Sequence, residues 1–195
     1  MKKTIVYTTL AWGALAAAPV LSDEGPSAEM LAYTCAGCHG TDGSSVGPAT
    51  PSIAGTDAAV FTDAMMSYKK GERPSTIMTR IAKGYSDAEI NKMAEFFAAQ
   101  KLTRYPQTVD AAKAAKGKAL HEEYCEKCHE DGGRNPKDVG VLAGQWMPYL
   151  EVAMQECAAG EREQTKKMKT KVEALIKDHG KESIEDIIQY YGSQH

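Results

Sequence analysis

The chain has 195 residues, 23 Lys and Arg against 26 Asp and Glu, five cysteines and a formal net charge of −3. This mild acidity excludes a nucleic-acid partner, which would call for a basic face. The length allows one or two domains.

Residues 1–22 read as a secretory leader. Lys2 and Lys3 precede a charge-free apolar run over about residues 8–21, and small residues crowd its second half. The run is shorter than the ~20 apolar residues that a bilayer span takes. No later segment is apolar enough, so the expectation is an exported, periplasmic chain with no membrane span. Cleavage fits after Ala18 or Ser22, and loss of Lys2 and Lys3 would leave 21 basic against 26 acidic residues, a net −5.

Beyond the leader the punctuation is helical. Pro26 and Ser27 start a helix in "PSAEMLAYTC" that runs into Cys35-Ala-Gly-Cys38-His39. A loop rich in Gly, Pro and Ser follows, "GTDGSSVGPATPS", then helix signals at "DAAVFTDAMMSYKKG" and "SDAEINKMAEFFAAQ". In the last of these Ile90, Met93, Ala94 and Phe97 share one face by three-four spacing. Pro106 blocks a helix through "TRYPQTVDAAK", which reads as a joint. The order then repeats: "DAAKAAKGKALHEEYC" leads into Cys125-Glu-Lys-Cys128-His129, followed by "EDGGRNPKDVG", "PYLEVAMQECAAG" and "SIEDIIQYYGSQ". No alternating strand pattern appears. The prediction is an all-α chain of two tandem units, residues 23–104 and 105–195.

The repeat has a register. An offset of ninety carries Cys35, Cys38 and His39 onto Cys125, Cys128 and His129, and Met78 onto Met168; no other methionine pairs this way. "SIAG" at residues 52–55 echoes "VLAG" at 141–144 one residue out of register, and "EFFAAQ" echoes "QYYGSQ" four residues out. Units of this size are marginal without a staple or cofactor inside them.

Three chemistries use a C-x-x-C pair. A zinc site puts its second pair about 15–20 residues on, whereas 86 residues lie between these pairs. A thioredoxin-like dithiol needs a βαβ context, and it leaves the histidine unexplained. C-x-x-C-H is the signature of covalent haem attachment. Two thiols reach the two vinyl groups on one porphyrin edge, and the histidine behind them comes under the iron. Cys35, Cys38, Cys125 and Cys128 are therefore the candidate attachment residues for two haems c. His39 and His129 are the proximal iron ligands. Met78 and Met168, each 39 residues after its histidine, are the distal ones, because a thioether suits haem iron and raises its potential. With both axial positions filled, electron transfer is favoured over chemistry at iron. Met65, Met66, Met93, Met147 and Met154 read as core filler, and Cys157, His121, His179 and His195 lie outside the motifs. His121 and His179 read as solvated or core residues, Cys157 as a buried or idle thiol. Lys166, Lys167, Lys169 and Lys171 surround Met168 as a solvated face or a steering patch for an acidic redox partner. Trp146 and Tyr149 read as packing.

These residues resemble the class I cytochromes c, and two such units in tandem resemble the cytochrome c4 type. "CAGCHGTDGSSVGPATPSIAG", "STIMTRIAKGYS", "YCEKCH", "LAGQWMPYL" and "TKKMKTKVEALIK" are similar to the dihaem cytochrome subunit of flavocytochrome c sulfide dehydrogenase. The resemblance implies two class I cytochrome c domains with their haems near the boundary. It implies a heterodimer with a flavoprotein subunit that carries FAD and oxidises sulfide, and an external acceptor such as a small cytochrome. No residue of this chain would then touch sulfide. It also implies that a proline carbonyl, Pro48 in "VGP", serves the free nitrogen of His39, while the second unit lacks that pattern. The alternatives are a free-standing cytochrome c4-type carrier and a dihaem enzyme in its own right.

Overall fold

The computed structural model describes residues 25–195; the expected leader lies outside the described residues. The first unit holds α1 (Ala28–Ala32), a 3-10 turn (Tyr33–Cys35), α2 (Ala36–His39), α3 (Ala58–Lys70), α4 (Met78–Ala82) and α5 (Asp87–Ala98). The second holds α6 (Ala111–Tyr124), a short turn α7 (Glu130–Gly133), α8 (Met147–Ala159), α9 (Lys166–His179) and α10 (Glu182–Gly192). No strand occurs among the described residues.

Local chemistry places the helix ends. Ser27, Asp57, Asp110 and Thr165 each accept a backbone N–H at the start of α1, α3, α6 and α9. Ser86 and Glu89 close a full capping box on α5. The Met168 segment, which is not among the helices predicted above, is the fourteen-residue helix α9. Its Thr165 cap and the buried Leu175 hold it against α6 and α10.

Each unit has its own core. Leu31, Phe61, Met65, Ile90, Met93 and Phe97 centre the first, with α1 and α3 laid on α5. Leu120, Leu150, Leu175, Ile187, Ile188 and Tyr191 form the second, in which α6 crosses α10. That crossing is close because position 117 is glycine: a Cβ there would overlap the Asp186 carbonyl oxygen.

Backbone bonds carry the repeat's register into space. Ile53 and Ala54 donate to the Gly43 carbonyl at 2.7 and 3.0 Å, and Leu142 and Ala143 donate to Gly133 at 3.0 Å each. Gly55 donates to Phe97 and Gly144 to Tyr191, both at 2.8 Å. The one-residue and four-residue displacements read from the sequence are therefore real: the second unit's motif loop is one residue shorter.

The units meet across a polar seam. Gln145, only 4% exposed, accepts from the Ser52 N–H and donates to the Ser52 carbonyl, both at 2.9 Å. Trp146 Nε1 donates to the Ser45 carbonyl at 3.0 Å, so this residue packs the seam. Gln145→Leu keeps the volume and strands both Ser52 groups. The expected cost is roughly 1–3 kcal/mol for each buried group left unpaired, read as a lower urea midpoint.

Candidate functional site

The first motif begins in the 3-10 turn and ends in α2. Cys35 is half-buried there and Cys38 exposed, and no disulfide joins any of the five cysteines. Burial pushes the Cys35 thiol up and the Cys125 thiol to about 11. That is the opposite of the depressed values that activate a redox dithiol.

His39 donates from Nδ1 to the Pro51 carbonyl at 2.8 Å, leaving Nε2 with the lone pair for a metal. Burial holds its pKa below the usual histidine value, with the Pro51 bond opposing, so the ring favours the neutral form that ligates. This corrects the expectation for Pro48, which is exposed and makes no such bond. The loop's return onto Gly43 brings the carbonyl three residues later to the ring.

Met78 opens α4, half-buried, and packs on the first core as Cys35 does. Thr34 Oγ1 and the Tyr85 hydroxyl, 2.6 Å apart, tie the motif to the far end of α4. Tyr33, Val46, Ile77 and Ile81 leave large apolar side chains exposed in these same segments. That much uncovered apolar surface marks a ligand face.

In the second unit Cys125 caps the end of α6. Tyr124 donates to Asp178 at 3.1 Å and holds α9 across the motif. A cleft of about 530 Å³ opens between Tyr124, Lys127 and Cys128 on one side and Lys166, Lys167, Thr170 and Lys171 on the other. Met168 lies in that turn of α9, half-buried, and is neither among the residues that line the cleft nor among those packed on the second core. Met147 packs on the second core instead.

His129 is the odd member. Its Nδ1 is buried without a partner. The loop register puts Gly140 where the first unit has Pro51. Gly140 has φ 75, which a proline, locked near −65°, cannot adopt.

One network was not read from the sequence. His121, fully buried, has Nδ1 2.9 Å from the Tyr191 hydroxyl and Nε2 2.6 Å from Glu126. Glu126 also accepts from the N–H groups of Asp131 and Gly132 at 2.9 and 3.1 Å, holding Asp131 at φ 54. Cys125 packs on the same core as Tyr191. In the first unit Leu31 and Phe97 occupy these places. The signal was the ninety-residue exchange of Leu31 for His121. His121→Ala leaves Tyr191 and Glu126 without their partner and opens a cavity. The expected loss is about 3 kcal/mol, read by chemical unfolding.

The donor set fits haem c. Each unit offers two thiols for the vinyl groups, one neutral imidazole and one thioether. Iron that arrives with four macrocycle nitrogens needs no other donors.

No protein-family model matches the chain. Over 79 residues it is 46% identical to the cytochrome subunit of sulfide dehydrogenase of Chlorobaculum tepidum, covering 40% of this chain and 68% of that protein. The chain belongs to the dihaem class I cytochromes c. The same cytochrome is 28% identical over 172 residues to cytochrome c4 of Pseudomonas aeruginosa, covering 83% of this chain and 84% of the relative. Its fold matches the reduced recombinant cytochrome c4 of Pseudomonas stutzeri with a TM-score of 0.71 at 22% identity, over 86% of this chain and 97% of that one. Cytochrome c relatives imply covalently bound haem c, and this dihaem cytochrome presents a C-x-x-C-H motif in each unit for it. Among the described residues no helix is long and apolar enough to cross a membrane.

Proposed function

We propose that this dihaem cytochrome is the electron-transfer subunit of an exported, periplasmic sulfide-oxidising complex. The 46% identity to a sulfide dehydrogenase cytochrome subunit carries the reading. Cys35 and Cys38 hold one haem and Cys125 and Cys128 the other. His39 with Met78, and His129 with Met168, fill the axial positions. Haem iron so ligated supplies one-electron transfer. A partner flavoprotein with FAD takes two electrons from each sulfide, and the two units of this chain accept one apiece. A small external cytochrome then removes them. The chain itself performs no catalysis on sulfide.

The full-length similarity to cytochrome c4 favours a second reading, a free-standing dihaem carrier. Mild purification from the native host separates the two. Flavin and a second polypeptide beside the haems, with haem reduced on adding sulfide, support the complex. Two haems with neither flavin nor companion leave the carrier.

The two histidines set a further expectation. A carbonyl on Nδ1 makes an imidazole a stronger donor, which favours ferric iron. His39 has that bond and His129 lacks it. Spectroelectrochemical titration should resolve two waves, the lower one belonging to the first unit. A single wave for both haems contradicts this.

A further inference from the structure

The chain directly behind the second motif is strained. Three consecutive residues take left-handed backbone there, Asp131 (φ 54), Gly132 (φ 64) and Gly133 (φ 83). Along the matching residues 40–43 of the first unit only the glycines do so, Gly40 and Gly43. A non-glycine residue keeps this costly conformation only where its surroundings hold it.

The hold is Glu126, the first residue inside the second C-x-x-C-H motif. Its Oε1 accepts from the Asp131 N–H at 2.9 Å and its Oε2 from the Gly132 N–H at 3.1 Å. Oε2 also lies 2.6 Å from His121 Nε2. An ionised carboxylate only accepts, so Nε2 carries the proton. The neutral ring then accepts at Nδ1 from the Tyr191 hydroxyl, 2.9 Å away. His121 is fully buried and Tyr191 nearly so, which anchors the relay in the second core. Partial desolvation pushes the Glu126 carboxyl up, and its bonds from His121, Gly132 and Asp131 outweigh that, holding it below the usual carboxylate range.

The first unit has none of this. Ninety residues before Glu126 and His121 stand Ala36 and Leu31, and Phe97 takes the place of Tyr191. That unit holds its histidine by the ring, through the Pro51 carbonyl. The second unit leaves the His129 ring nitrogen without a partner and holds the backbone behind it.

We propose that Glu126, His121 and Tyr191 are positioning residues for His129: their relay fixes the turn that carries the second proximal histidine, as the Pro51 carbonyl fixes the ring of His39. This rests on the haem ligation proposed above. A ring with no bond of its own then keeps one orientation while the iron gains and loses its electron.

The test uses the full chain with both haems attached. His121→Leu/Tyr191→Phe gives the second core the apolar pair of the first. It removes both partners at once, a swap that can be nearly neutral for stability. Glu126→Ala gives the motif the first unit's residue and removes the carboxylate. In both variants the Asp131 and Gly132 amides should exchange with solvent about tenfold faster, and amides of the first unit should keep their rates. The hyperfine-shifted proton resonances of the second ferric haem, which report the plane of the axial imidazole, should move or split in both, while those of the first haem stay. Glu126→Gln keeps the size and one acceptor oxygen, and should restore part of both effects. A relay that only packs the core would change the unfolding midpoint and leave resonances and exchange unmoved; that result overturns the proposal. So does movement in the Leu/Phe variant without movement in Glu126→Ala, because the effect then bypasses the carboxylate. A wild-type second haem whose spectrum lacks an axial histidine overturns the ligation proposed above instead.

Discussion

Replacing Cys125 and Cys128 together by serine should cut the covalently bound haem from two per chain to one. A hydroxyl does not form the thioether, so the second ring loses both of its anchors while Cys35 and Cys38 keep the first. The effect on folding should fall on one unit. The second core rests on six buried residues against nine in the first, and a unit this small is marginal without its staple. Loss of α9 follows, since its first turn faces the motif across an open cleft and only Leu175 is buried along it. Mass analysis of the denatured chain reads the haem count, and far-ultraviolet dichroism reads the helix loss. Two haems still attached would assign the chemistry to another thiol, for which Cys157 is the remaining one.

Met78→Ala should open one axial position and leave the other haem intact. The potential of the affected haem should fall by roughly 0.1–0.3 V, a fraction of the ~0.8 V over which axial ligands tune haem. The reduced protein should then bind carbon monoxide at half of its haem. Met168→Ala should do the same to the other half. Met65→Ala is the control: Met65 is 5% exposed in the first core, so its loss should cost about 2–5 kcal/mol of stability and bind no gas. A Met78→Ala protein with an unchanged spectrum removes Met78 as a ligand.

Much of this architecture was open to reading because its signals are local. A C-x-x-C-H turn places two thiols and an imidazole within five residues, so the chemistry survives whatever the rest of the chain does. Ser86 and Glu89 announce the start of α5, and Ile90, Met93, Ala94 and Phe97 proved to be its buried face. The Met168 segment was harder. Five lysines in "KKMKTKVEALIK" hide an amphipathic pattern whose apolar side shows only against α6 and α10.

The carbonyl behind His39 was misassigned for a different reason. Pro48 and Pro51 stand three residues apart, and only the return of the loop onto Gly43 decides which of them meets the ring. The Gly-Glu-Arg repeat of residues 71–73 and 160–162 was visible at an offset of 89 beside motifs at 90, yet nothing in its spelling says that both arginines reach Tyr149.

The sequence by itself determined the covalent chemistry and the number of units, because attachment residues, repeat and helix caps are all written within a few residues of one another. Tertiary structure alone decided the partner of His39, the solitary Nδ1 of His129, the buried contact of His121 with Tyr191 and Glu126, and the meeting of Arg73 with Arg162. Most of these join groups from separate elements, up to 89 residues apart for Arg73 and Arg162, which meet at the Tyr149 hydroxyl. Loop lengths that differ by a single residue between the two units set which atoms end up face to face.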